Sequence, residues 1–182
     1  GTVNIDQRLI ENSLEGDIRS QYELYQKYAG AMYFTCFHMM RNKEDAEDIL
    51  QESFSEAFQK LDRYRFESSF GTWMKRIVIN KCINELKRVK SDLKFEADLA
   101  DHNLIEQEDD SLPELKVDDI KDALQTVPDG SRLIFQLYLL EGYDHTEIAE
   151  ILNVSVSNSK SQYMVAKRKV KEVLKDRYGI KG

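Results

Sequence analysis

The amino-acid sequence predicts an all-α protein of two small helical domains joined by an acidic linker, with a helix-turn-helix in the second domain. Apolar residues recur three and four positions apart along most of the 182 residues, which is the period of an amphipathic helix. Only 2 prolines and 8 glycines occur, so long helices are feasible. A stretch rich in carboxylates and poor in large apolar side chains separates the two periodic parts.

The first domain, predicted over residues 1–89, contains four helices. Each helix has an apolar face that can be buried in a common core, and Trp73 is expected to be a core aromatic of the fourth helix. Cys36 and Cys82 lie inside these apolar patterns, so we expect buried thiols that act as small hydrophobic side chains. The residues predicted to end or cap the helices are Gly16, Asp17, Asn42 and either Ser68 or Ser69.

Residues 90–110 cannot bury much apolar surface, so they are predicted to form the acidic linker. The second domain is predicted over residues 111–182. It begins at Ser111-Leu-Pro-Glu114, where a capping serine, a first-turn proline and a glutamate mark a helix start. Asp129 is expected to cap the next helix, and Gly142 to end it.

The helix-turn-helix is predicted next. Asp144 and Glu147 form a second capping-box pattern, Asn153 stands at the turn that needs a left-handed backbone, and Ser157 is expected to cap the last helix. Small, amide and basic side chains in the first turns of such a helix can contact base edges or phosphates in the major groove of DNA. The candidates are Ser157, Asn158, Lys160, Ser161 and Gln162, and Lys167 extends the cationic surface.

The charge of the chain excludes some classes of function. A formal net charge of -7 argues against a general nucleic-acid binder, although basic residues crowd residues 75–90 and 160–181.

No apolar run approaches the roughly 20 residues that span a membrane. No signal peptide is visible either, which favours the cytoplasm. No spacing indicates a metal site, a cofactor site or a catalytic constellation, so we do not expect an enzyme.

Two adjacent segments of the first domain carry opposite charge. Residues 45–54 form an acidic helix, and residues 69–81 form a basic segment with aromatic residues at its start. Cations offset phosphate charge and aromatic rings stack on unpaired bases, so the basic segment suits single-stranded nucleic acid. The acidic helix cannot bind the same polyanion and is expected to face a protein.

These segments resemble the sigma factors of bacterial RNA polymerase, in particular the two-domain extracytoplasmic-function group. The resemblance runs from about Gly16 to Leu174. It rests on Asp45-Ala-Glu-Asp48, on Phe70-x-x-Trp-x-x-Arg-Ile77 with Asn80 after it, on the acidic linker and on the helix-turn-helix, in that order. It implies a protein that directs core polymerase to specific promoters and assists DNA melting.

The resemblance also implies site residues in the first domain. The surface that docks on core polymerase would comprise Asp45, Asp48, Ile49 and Glu52. The downstream promoter element would be bound and opened by Arg76, Asn80, Lys81, Lys87 and Arg88. A loop that captures a flipped base would be bordered by Tyr64, Phe66 and Phe70.

In the second domain, the resemblance implies that the last helix reads the upstream promoter element. Lys160 and Ser161 match the basic-then-serine pair of the family. Two positions depart from it, because Ser159 replaces a buried valine or isoleucine and Val165 replaces a frequent arginine. The implied partners are core RNA polymerase, duplex and single-stranded promoter DNA, and an anti-sigma factor. No cofactor and no membrane insertion are implied.

Two other hypotheses account for part of the pattern. An autonomous helix-turn-helix regulator would bind duplex DNA without polymerase, but it leaves the basic segment before the linker unexplained. A helical interaction protein without a DNA role would be insensitive to charge removal at Lys160.

Overall fold

The structure, a computed structural model, describes residues 5–89, 93–95 and 117–179. The chain divides into two compact units, Gly1–Ser91 and Asp92–Gly182. Regular secondary structure within the described ranges is helical throughout, which confirms the predicted all-α fold class.

The predicted linker, residues 90–110, lies outside the described residues except for residues 93–95. The capping box predicted at Ser111 and Glu114 lies outside them as well. Both therefore stay predictions.

The first unit is a bundle whose three long helices enclose the core. Its elements are α1 (Ile5–Leu14), α2 (Ile18–Met40), α3 (Lys43–Gln59), a short 3-10 turn (Leu61–Arg63) and α4 (Phe70–Val89). Helices α2, α3 and α4 pack against one another, and α1 packs on α2. Leu24 of α2 and Met74, Val78 and Ile79 of α4 are fully buried between them.

The helix ends of the first unit follow the local sequence closely. The side chains of Asp17, Asn42 and Ser69 each accept a hydrogen bond from a backbone N–H group in the first turn of the following helix. Such bonds satisfy donors that a helix start leaves without intrahelical partners. Gly16 has a φ of 92° and ends α1, as predicted.

Two polar contacts tie the helices of the first unit together. The Asp6 carboxylate of α1 accepts hydrogen bonds from the Tyr28 hydroxyl and the Lys27 ammonium group of α2. Burial and this carboxylate raise the pKa of Tyr28, so its hydroxyl stays protonated as the donor. Cys36 of α2 and Cys82 of α4 are fully buried, as predicted, and a hydrogen bond from Cys82 lowers the pKa of the Cys36 thiol.

The second unit consists of short helices packed around one long helix. Its described elements are α5 (Val117–Ala123), a 3-10 turn (Leu124–Thr126), α6 (Asp129–Phe135) with a π-helical continuation (Gln136–Leu140), α7 (His145–Leu152) and α8 (Val156–Tyr178). Helix α8 packs against α5, α6 and α7. Ile134, Ile148, Ala166 and Val170 are fully buried in the resulting core.

The turn between α7 and α8 has the geometry expected of a helix-turn-helix. Asp144 and Glu147 form the predicted capping box, and Asn153 adopts the predicted left-handed conformation with φ 55° and ψ 49°. The cap of α8 was predicted wrongly, because Ser155 rather than Ser157 accepts the N–H bond of Asn158. The left-handed Asn153 reverses the chain so tightly that α8 already begins at residue 156.

The start of α6 was also predicted wrongly, and its cap comes from a distant segment. Pro128 is the N-cap, and it has no side chain that can accept a hydrogen bond, while Asp129 lies inside the helix. Instead, the carbonyl oxygen of Lys94 accepts the N–H bond of Gly130 at 2.7 Å. A Cβ atom on Gly130 would lie 2.6 Å from the Phe95 ring, so only glycine allows this approach.

Because of this contact, we expect a glycine-to-alanine substitution at position 130 to destabilise the protein, although alanine usually stabilises a helix. Alanine normally stabilises a helix by about 0.5–1 kcal/mol relative to glycine. We expect Gly130→Ala to destabilise the protein by about 1–3 kcal/mol, because the added methyl group overlaps Lys94 and Phe95. Gly30→Ala in α2 is the matched control, since nothing lies within 4 Å of its added Cβ. Urea unfolding followed by circular dichroism measures both, and a stabilised Gly130→Ala variant would contradict the prediction.

Candidate nucleic-acid and partner interfaces

Helix α3 exposes an acidic surface formed by Asp45, Asp48 and Glu52. These residues are three and four positions apart, so they lie on one face of the helix. Ile49, which was predicted to belong to the same docking surface, is only 4% exposed. Its side chain belongs to the core of the unit, so its assignment as a docking residue is corrected.

Helix α4 exposes a polar stripe opposite its buried face. Arg76, Asn80 and Lys87 lie on the exposed side of the helix, as expected from the sequence. Thr72 and Asn84 are exposed at the same four-residue spacing and were missed, although counting from Arg76 in steps of four finds both. The stripe combines a cation at its centre with amide and hydroxyl groups that can donate to phosphates or bases.

Two of the predicted phosphate ligands are already engaged within the unit. Arg88 forms an ion pair with Glu85 at 2.6 Å, and the hydrogen bonds that it donates to that carboxylate raise the pKa of Arg88. Lys81 forms an ion pair at 2.8 Å with Glu56 of α3. Hydrogen bonds from Lys60 and then from Lys81 lower the pKa of Glu56, so the carboxylate stays ionised between two ammonium groups.

The loop before α4 contains an aromatic cluster with one exposed member. Phe66 is 48% exposed and has a φ of 58°, which is unusual for a bulky residue. Its ring centroid lies 4.6 Å from that of Tyr64, and Tyr64 in turn packs on Phe70 and Trp73. Because Tyr64 is 8% and Phe70 only 2% exposed, their predicted contact with a base is corrected to a supporting role.

The first turns of α8 divide into exposed and buried side chains. Ser157 and Lys160 are exposed and Asn158 is half-buried, so all three can reach a ligand. Ser161, Gln162 and Lys167 are 4%, 1% and 1% exposed, respectively, and have no access to DNA. Their assignment as DNA contacts is corrected, because the 3.6-residue period turns them toward α6 and the core.

Ser159, one of the two departures from the family pattern, is accommodated by a hydrogen bond. Its side chain is fully buried, and its hydroxyl lies 2.8 Å from Nδ1 of His145 on α7. The His145 ring stacks on Tyr138 with a centroid distance of 4.2 Å. Burial, together with the charge of Lys160, lowers the pKa of His145, so the ring is neutral at pH 7. A polar pair thus replaces the apolar contact between the two helices.

Two further features concern metals and membranes. Within the described ranges, no group of three or more His, Cys, Asp or Glu side chains is arranged to hold a metal ion. None of the helices in that part of the chain combines the length and the apolar character that crossing a bilayer requires.

The sequences of both units match families of known proteins. Residues 24–91 match Sigma-70 region 2, and residues 118–170 match Sigma-70, region 4. The ECF RNA polymerase sigma factor SigW of Bacillus subtilis (strain 168) is 27% identical over 178 residues, which are 92% of this chain and 95% of SigW. The RNA polymerase sigma-H factor of Pseudomonas aeruginosa is 27% identical over 184 residues and covers 95% of each chain.

Solved structures show the same fold. The structure of CnrH in complex with the cytosolic domain of CnrY matches with a TM-score of 0.54 and 20% identity, covering 95% of this chain and 99% of that chain. The sigma factor RpoE in complex with the anti-sigma factor NepR from Bartonella quintana also has a TM-score of 0.54, with 18% identity, covering 87% of this chain and 98% of that chain.

The fold and these matches define an RNA polymerase sigma factor, a protein of transcription initiation. The chain belongs to the sigma-70 family, and it matches sigma factors of the extracytoplasmic-function group over most of its length. The predicted family and function are confirmed.

Proposed function

We propose that the first unit docks on core polymerase through α3 and opens promoter DNA through α4 and the loop before it. In this assignment, residues 1–89 act as the region 2 domain, residues 90–110 as the linker and residues 111–182 as the region 4 domain. The observation that carries the proposal is the separation of charge between neighbouring helices, because α3 exposes carboxylates where α4 exposes a cationic and polar stripe.

The polymerase-docking role of Asp45, Asp48 and Glu52 is supported by their exposure on one face of α3. A carboxylate row repels the phosphates of DNA, so its complement is a basic protein surface. The exposed side chains keep their charges hydrated before binding, and they gain ion pairs only when a partner with the opposite potential approaches.

Helix α4 is proposed to hold the downstream promoter element. Arg76 and Lys87 offset phosphate charge, and Thr72, Asn80 and Asn84 supply neutral hydrogen-bonding groups along the same stripe. Lys81 contributes only when phosphate competes with Glu56 for its ammonium group. This competition lowers the affinity for non-promoter DNA. Tight binding then requires all the contacts along the stripe to form together.

Phe66 is proposed to capture a flipped base. Stacking on an unpaired base contributes roughly 1–3 kcal/mol, which is similar to the cost of unstacking one base. A ring that is already exposed on a left-handed backbone needs no rearrangement before it stacks. The loop that carries Phe66 is stabilised by the ring contacts among Tyr64, Phe70 and Trp73.

In the second unit, α8 is proposed to read the upstream element in duplex DNA. Ser157, Asn158 and Lys160 lie near its N-terminus, and in helix-turn-helix proteins such residues contact base edges. The buried Ser161, Gln162 and Lys167 support the helix from inside.

We further propose that an anti-sigma factor regulates this protein in the cytoplasm, where core polymerase acts. RpoE, whose fold this chain shares, is bound by the anti-sigma factor NepR in its solved structure. The protein acts by binding and positioning rather than by catalysing a reaction of its own.

The docking role predicts that Asp48→Lys weakens the binding of core polymerase by about tenfold, since it places a like charge against a basic partner surface. Glu47→Lys is the matched control, because Glu47 is exposed on the other side of α3 and the charge change is identical. Fluorescence anisotropy with labelled protein and core enzyme measures both affinities. Equal affinities for the two variants would exclude the docking face.

The base-capture role predicts that Phe66→Ala slows open-complex formation on duplex promoters by roughly five- to tenfold, because one stacking contact is lost. Activity on a template with a pre-melted bubble should remain close to that of the wild type. Phe66→Gly separates function from fold, since glycine tolerates the positive φ and should not reduce stability. Permanganate footprinting and run-off transcription on both templates are the measurements. Equal losses on duplex and bubble templates would reject capture.

The upstream role predicts that Lys160→Ala lowers the affinity of holoenzyme for the promoter and reduces the slope of log K against log salt by about one. Lys175→Ala is the control, because Lys175 is exposed at the far end of α8. Filter binding at several salt concentrations gives both slopes. An unchanged slope for Lys160→Ala would remove this residue from the interface.

A further inference from the structure

One amide side chain at the N-terminal end of α8 is held in a fixed orientation from inside the unit. The side-chain oxygen Oδ1 of Asn158 accepts a hydrogen bond from Nε2 of Gln162 at 3.2 Å. Oε1 of Gln162 accepts a second bond from the Ser131 hydroxyl of α6 at 2.5 Å. Ser131 is fully buried and Gln162 is 1% exposed, so this chain of bonds begins in the core and ends at a half-buried residue on the proposed DNA-facing helix.

The direction of these bonds determines which part of Asn158 a ligand meets. Ser131 donates to the oxygen of Gln162, which leaves the NH₂ group of Gln162 on the side of Asn158. The oxygen of Asn158 therefore points inward. Its own NH₂ group lies on the opposite edge of the planar amide and makes no hydrogen bond to any residue that the structure describes.

Base edges in the major groove distinguish between these two orientations. A freely rotating asparagine pairs with adenine, because its oxygen accepts from N6 while its NH₂ group donates to N7. An asparagine that offers only its NH₂ group matches guanine, which presents the two acceptors N7 and O6 side by side. On adenine the same group would face the N6 donor next to N7.

We propose that Gln162, anchored by Ser131, is a positioning residue that turns Asn158 into a donor-only reader, so that the base it contacts in the upstream promoter element is guanine rather than adenine. The proposal rests on the proposed role of α8 in promoter binding. It gives the buried Gln162 and Ser131 a part in specificity although neither touches DNA.

Burial makes this mechanism effective. A hydrogen bond between side chains is easily exchanged for water at a surface, but water has little access to a pair inside the core. Rotating the Asn158 amide alone by half a turn would place two NH₂ groups against each other, so reversing its orientation requires the Gln162 amide and the Ser131 hydroxyl to turn over together with it. The outward orientation is thus coupled to the interior packing of α6 on α8.

The test is the base preference of holoenzyme across a promoter library in which the upstream element is randomised. The proteins compared are the wild type, Asn158→Ala, Gln162→Met, Ser131→Ala and Lys160→Ala. Methionine is close to glutamine in length and shape but cannot form either hydrogen bond. Thermal unfolding of each variant establishes that it is folded.

For the wild type we expect one position with about a tenfold preference for guanine over adenine, which disappears in Asn158→Ala. Gln162→Met should reduce that ratio to about twofold or reverse it toward adenine, since the released amide can pair with adenine through both of its groups. Ser131→Ala should also reduce the preference for guanine over adenine. This variant still tests the role of the hydrogen-bonded chain if Gln162→Met does not fold. Lys160→Ala should weaken binding to all sequences without changing the ratio.

The outcomes separate this inference from the function on which it rests. If Asn158→Ala removes a guanine preference that Gln162→Met and Ser131→Ala both retain, the positioning role is overturned while α8 remains the reading helix. A wild-type preference for adenine at the position read by Asn158 also overturns it. If neither Asn158→Ala nor Lys160→Ala alters promoter binding, the proposed function of α8 fails first.

Discussion

The packing of α4 against α2 and α3 is the constraint on which the first unit depends. Helix α4 buries Met74, Val78 and Ile79 completely, and a straight helix that buries one stripe exposes the opposite one. Arg76 and Asn80 are exposed because they lie on the side of α4 opposite that buried stripe, and no additional interaction is needed to expose them. Helix α3 faces the same core, so its carboxylates are turned outward for the same reason. Two surfaces of opposite charge thus result from one shared apolar core.

Glu56 stands where the acidic and the basic surfaces meet. Its carboxylate bridges Lys60, which directly follows its own helix, and Lys81 of α4, with about a quarter of each member of the Glu56–Lys81 pair exposed. At this exposure water and salt screen the attraction, so the pair contributes little to stability. In the proposed DNA-binding role its effect is larger, because a phosphate would have to displace the Glu56 carboxylate before it could bind Lys81.

The second unit shows how interior polar groups shape a surface. Buried hydroxyl and amide groups need hydrogen-bond partners, and here those partners lie on other helices. Ser159 bonds His145 between α8 and α7, and Ser131 bonds Gln162 between α6 and α8. Each bond fixes the rotation of α8 about its axis more narrowly than apolar contact alone, because hydrogen bonds are directional. The positions of the exposed residues at the start of α8 are fixed as a result, because they rotate with the helix.

The sequence by itself determined the helices, the caps at Asn42 and Asp144 and the left-handed turn at Asn153, because each depends on contacts within a few residues of the chain. Only the tertiary structure decided that Ile49, Tyr64 and Gln162 belong to the interior and Phe66 to the surface. Helical period marks which side of a helix is apolar, but residues at the edge of that side are covered or exposed according to how closely another helix approaches. That distance depends on packing between residues far apart in sequence, which local patterns do not encode.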